Sequence, residues 1–93
     1  MKRFEVKVAE LFTEIVDNGG ENLQLLYSDK ENDFSFYLYE VGIKDVNFNF
    51  MDVLTYAFIK YVTVKRINIK KITVKEVKQW IEVCLRTDYI YHQ

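Results

Sequence analysis

Few residues in this chain can do chemistry, and their spacing decides what kind. His92 is the single histidine and lies next to last in the sequence, where chains usually fray, so a solvated tail residue is expected. Cys84 is the single cysteine. It falls at an inward position of a predicted helix, with no second histidine to activate it, and is expected to be a buried, inert thiol. One cysteine cannot form an internal disulfide and fits a reducing compartment. The run Asp29-Lys30-Glu31-Asn32-Asp33 is rich in oxygen ligands, yet it lacks the central glycine and distal glutamate of a calcium loop. A solvated turn explains it. Gly19-Gly20 is not followed by the lysine and hydroxyl residue that a phosphate loop requires. No histidine pair at helical spacing and no two-cysteine knuckle is present. The expectation is no catalytic residue, no metal and no cofactor.

Two features stand above this background. The first is charge segregation. Residues 1–52 hold eleven acids against five bases, a net of −6, and residues 53–93 hold eight bases against three acids, a net of +5. The overall −1 therefore hides a polarised chain, and each half can steer a charged partner if the two stay apart in space. The basic cluster Lys65, Arg66, Lys70, Lys71, Lys75 and Lys78 is a candidate for binding phosphate backbones. Its plainer reading is a solvated edge strand whose lysines prevent aggregation. The acidic half is a candidate for occupying a basic groove on another protein. The second feature is a tyrosine-bearing face, Gln24, Ser35, Tyr37 and Tyr39, read as a protein interface because tyrosines give large contact area at low entropy cost.

That face depends on the elements expected to carry it. Leu23–Tyr27 and Phe34–Tyr39 alternate and are dense in aromatic and aliphatic residues, with polar Ser28–Asp33 between them. They read as an antiparallel hairpin over residues 23–41. Before it, Phe4, Val8, Leu11, Phe12 and Ile15 form one stripe at helical spacing, so a helix is expected over residues 4–18. Asn18-Gly19-Gly20 stops it. Gly42 reads as a bulge or bend, and Val46 with Phe48 as a short third strand. Asn49 is a good N-cap for a helix running to about residue 61, with Asp52 in its first turn and Phe50, Leu54, Ala57, Phe58 and Tyr61 inward. The β-branched run 61–72 favours a strand within 63–71. Thr73 and Glu76 spell a capping box for a last helix over 74–86, which turns Val74, Val77, Ile81, Cys84 and Leu85 inward with Trp80 at the edge. Residues 88–91 add a terminal strand or drape over the surface.

The sum is one α+β domain over residues 1–93, in the order α-β-β-(β)-α-(β)-α, with an aromatic hairpin packed on three helices. Hydrophobic residues make up 49% and aromatics 16% of the 93 residues, enough for a core and too many for disorder. No apolar run approaches the roughly 20 residues of a membrane span, and Glu5 and Glu10 interrupt any leader-like segment. A cytoplasmic protein of a bacterial host is expected. The absence of proline, with abundant Lys, Ile, Asn, Tyr and Phe, points to an AT-rich coding sequence such as a mobile element. The reading that follows is a small non-enzymatic protein-binding module. It would be an inhibitor of the anti-defence or anti-CRISPR kind encoded by a phage or mobile element, acting on a larger protein or nucleoprotein partner, with homodimerisation through the same face or an open sheet edge. The alternative is a nucleic-acid-binding regulator using residues 60–78. A small hydrolase would need two acids converging in a cleft.

Overall fold

The computed structural model describes residues 3–44 and 49–87. Four α-helices account for most of them: α1 (Phe4–Asp17), α2 (Glu21–Glu40), α3 (Phe50–Val64) and α4 (Val74–Arg86), with one 3-10 turn, Ile69–Lys71, before α4. No strand occurs among the described residues. The fold is all-helical, and the α+β expectation is overturned.

The aromatic hairpin expected over 23–41 is a single helix, α2. Two physical facts decide this. Leu23, Leu26, Tyr27, Lys30, Phe34 and Leu38 repeat every three or four residues straight through the polar segment, and of these Leu23 and Phe34 are buried while the others are partly buried. Neither glycine nor proline interrupts residues 21–41, so Ser28–Asp33, although it holds Ser, Asp and Asn, lacks the strongest breakers and continues the helix. Gly42 is therefore not a bulge. It sits at φ 81°, and the Gly42 and Ile43 amides donate to the carbonyls of Tyr39 and Leu38 at 3.1 and 3.0 Å. That pair of bonds is a Schellman cap.

The strand expected within 63–71 is also absent. Helix α3 runs on to Val64 and ends in a second Schellman cap, Arg66 and Ile67 donating to Thr63 and Val62. Here the left-handed position is held by Arg66 at φ 56° instead of a glycine. Asn68 then accepts from the Lys70 amide at 3.0 Å and starts the 3-10 turn. The third strand at Val46 and Phe48 and the terminal segment 88–91, like His92, lie outside the described residues.

The remaining elements follow the sequence closely. Helix α1 ends at Asp17, and Gly19 and Gly20 make the tight connection to α2. A Cβ at Gly19 would collide with the Leu23 side chain and the Ile15 carbonyl oxygen, while Gly20 stands at φ 93°, ψ 168°. Asn49 and Asp52 cap α3 reciprocally, side chain to backbone, with both bonds at 2.9 Å. At α4 the Thr73 hydroxyl accepts from the Glu76 amide, as a cap should. The Glu76 carboxylate takes the hydrogen of that hydroxyl rather than the Thr73 backbone amide expected of a full capping box.

Helices α1 and α3 are the main pair. Phe12 meets Phe58 edge-on at a centroid distance of 5.2 Å, and Trp80 of α4 closes on Phe58 at 5.1 Å and on Phe12 at 6.0 Å. Leu54, Ile81, Leu85 and Val77 complete the most deeply buried set. Val16 is buried although the sequence stripe omits it, and Phe4 and Val74, expected inward, are exposed. Helix α2 adds Leu23 and Phe34, and a second aromatic group, Tyr27–Phe50–Phe34, ties it to the start of α3.

The two left-handed positions make opposite predictions. Gly20 occupies a region that is essentially glycine-only, so Gly20→Ala lowers stability by about 1–3 kcal/mol in urea unfolding. Arg66→Gly removes a Cβ penalty and raises stability by about 1 kcal/mol in the same measurement.

Candidate functional site

The helical fold redistributes the residues singled out from the sequence. Tyr37 and Tyr39 would share a face on a strand, but on a helix of 3.6 residues per turn they diverge by about 160°. Tyr39 is the most exposed apolar side chain described, at 80%. Tyr37 turns instead into a shallow concavity with Asp33, Phe36 and Glu40. Ser35 is exposed. Gln24 has a structural task, its Nε2 donating to the Asp17 carbonyl oxygen at 2.8 Å and so satisfying the free end of α1. The four residues do not form one surface. The apolar group that does form there was missed by strand periodicity. Phe36 (62% exposed), Tyr37, Tyr39, Val41 and Ile43 crowd the last turns of α2 and its cap, all exposed.

The basic residues remain close in the chain. Lys65 and Arg66 cap α3, Lys70 and Lys71 lie in the 3-10 turn, and Lys75 and Lys78 lie in the first turns of α4. All are exposed except Lys78, which is half-buried. Lys65 borders a hollow of about 460 Å³ with Tyr61, Glu76, Gln79, Trp80 and Val83.

One further concavity was not foreseen. A groove of about 810 Å³ runs between α1 and α3, lined by Glu5, Glu10, Glu14, Asp17 and Asp52 around Val6, Ala9, Thr13, Thr55, Tyr56 and Ile59. Among the described residues its lining includes five carboxylates and no lysine or arginine. Among the described residues no three His, Cys, Asp or Glu side chains gather closely enough to hold a metal ion. The acids are spread along and around α1 and at the start of α3 instead of meeting at a point. Thr55 is 4% exposed, and its Oγ1 is the one buried side-chain polar atom among the described residues without a hydrogen-bond partner. Tyr27 lies near the same end. Burial, followed by the charges of Glu31, Asp52 and Asp17, pushes its hydroxyl up to about 12. Asp17 at the end of α1 and Asp52 at the start of α3 line the same groove, and Phe12 meets Phe58 further along each helix, so the two helices run antiparallel.

Cys84 is buried, and desolvation pushes its thiol up to about 12. No described helix is long and apolar enough to cross a membrane. Comparison with family models, with curated proteins and with solved structures gives no match to this chain.

Two measurements test these environments. The native Cys84 thiol reacts with a disulfide reagent at neutral pH at least roughly a hundredfold more slowly than the same thiol in urea, because so little thiolate is present. The contribution of the protonated Tyr27 and Cys84 to stability is full below their ordinary values of 10.0 and 9.0 and is lost as pH rises through about 12. Urea unfolding between pH 8 and 12 therefore shows a falling stability that Tyr27→Phe makes shallower.

Proposed function

We propose that this chain is a non-enzymatic protein-binding module whose working surface is the C-terminal half of α2. One observation carries the reading. Phe36, Tyr37, Tyr39, Val41 and Ile43 stand exposed within eight residues, a density of unburied apolar area that soluble monomers rarely leave without a partner. Asp33 and Glu40 flank Phe36 and Tyr37 in one shallow hollow, giving the aromatic centre and polar rim typical of protein interfaces. Tyr39 lies around the helix from Tyr37, so a partner engages Phe36 and Tyr37 together and reaches Tyr39 only by wrapping the helix end. The deeply protonated Cys84 offers no nucleophile, in keeping with a role in recognition. Small size and an AT-rich composition keep the inhibitor of a phage or mobile element as the form this module would take.

A second reading rests on a different observation. Arg66 is held at φ 56°, a costly conformation for a side chain with a Cβ, and it stands amid Lys65, Lys70 and Lys71. A nucleic-acid contact there would give Arg66 a use beyond the cap.

Capture from a bacterial lysate with and without nuclease separates the two. The first reading expects a protein retained after nuclease treatment and lost on Phe36→Ala with Tyr37→Ala, an affinity loss above about 2 kcal/mol, while Tyr39→Ala costs less. Retention that disappears with nuclease or with added salt, and survives the α2 substitutions, rejects it in favour of the basic segment.

A further inference from the structure

We infer that the groove between α1 and α3 is a separate docking site for a basic amphipathic helix of another protein. The inference is independent of the surface proposed on α2, because none of the groove residues belongs to that helix.

Three features select the occupant. The first is shape. Two antiparallel helices leave between them a trough into which the ridge of a third helix fits, the usual way helices add to one another. From Glu5 to Asp17 the trough follows about 18 Å of α1, the length of some three helical turns. The second is the floor. Val6, Ala9 and Ile59 supply apolar surface, with the small Ala9 allowing close approach, and Tyr56 stands on the rim at 71% exposure. An amphipathic helix would lay its apolar stripe there, reading anchors at i, i+3 or i+4, and i+7.

The third is charge. Glu5, Glu10, Glu14 and Asp17 lie along α1, and Asp52 faces them from the first turn of α3. Five carboxylates spread around a described lining that includes no lysine or arginine complement lysines or arginines flanking an apolar stripe. The same five repel nucleic acid and acidic peptides alike. Beneath the lining, Thr55 is buried. Its hydroxyl is 96% withdrawn with its residue from solvent yet bonds to nothing. Such a group is costly in the free protein, and because its oxygen is closed off from the groove it belongs to the packing of α3 and takes no part in the docking.

The test uses a fluorescent helical peptide of leucine and lysine, about 14 residues long to match the trough, and its leucine and glutamate counterpart. Anisotropy titration at low salt should show binding of the lysine peptide alone, weakening as salt is added. Glu5→Gln with Glu14→Gln should reduce affinity about fivefold, the scale of two exposed ion pairs, and Tyr56→Ala by about tenfold. Glu21→Gln with Asp29→Asn on α2 removes the same charge outside the groove and should leave affinity unchanged. All of these side chains are exposed, and circular dichroism confirms that each variant folds. Equal binding of both peptides, or equal loss in the α2 control, overturns the site as a mere field effect. Sedimentation supplies the remaining outcome: a dimer broken by Tyr56→Ala would give the groove to a second copy and overturn the proposed partner.

Discussion

The edge-on contact of Phe12 with Phe58 is the constraint on which the other parts of the molecule depend. Both rings are wholly excluded from solvent, and each comes from the middle of its helix. That contact pins α1 to α3, and the trough lies on one side of the seam between them. On the other side the same rings receive Trp80, which brings α4 and its buried Val77, Ile81 and Leu85 into place. Aromatic pairs in this geometry add roughly 0.5–1.5 kcal/mol beyond the area they bury. In a chain of 93 residues, whose total stability is only of order 5–10 kcal/mol, that margin matters.

Helices α1, α3 and α4 were legible because several signals agreed in each. Apolar residues recur at helical spacing, Asn49 and Thr73 stand at starts, and Gly19-Gly20 stands at a stop. Helix α2 was misread because its local signals disagree. Leu25, Phe36 and Tyr39 lie on its outer side, so inward and outward apolar residues interleave and mimic the period of a strand. The decisive clue was negative: twenty-one residues, 21–41, without a glycine or proline. The run 61–72 misled differently. Val62, Thr63 and Val64 are β-branched, yet they merely finish α3, and the Thr63 hydroxyl folds back to bond the Ile59 carbonyl at 2.7 Å. Tertiary packing overrode a weak local preference.

The candidate surfaces divide along the same line. Charge segregation along the chain was visible by counting and falls on an acidic α1 and a basic connection from α3 to α4, although the start of α1 lies against that connection. The trough itself could not be read from one dimension, since it exists only once residues 5–18 and 52–59 are placed side by side. Nor could the scattering of Tyr37 and Tyr39, which share a face or part company according to the period of the backbone beneath them. Strand geometry gathered four polar and aromatic residues into a face. Helix geometry sent Gln24 to cap α1 and drew Phe36, Val41 and Ile43 into the group instead.

The Schellman cap at Gly42 has a consequence for the rings just before it. Helix ends ordinarily fray, and aromatic side chains on a frayed turn must be ordered by whatever binds them. Here the closing bonds from Gly42 and Ile43 hold the last turn of α2 shut, so Phe36, Tyr37 and Tyr39 are displayed on backbone that is already set. A protein meeting them has only a few side-chain torsions left to freeze, at roughly 0.5–1.5 kcal/mol each. Association at the surface proposed on α2 would then be the docking of two finished shapes, without a folding step to slow it.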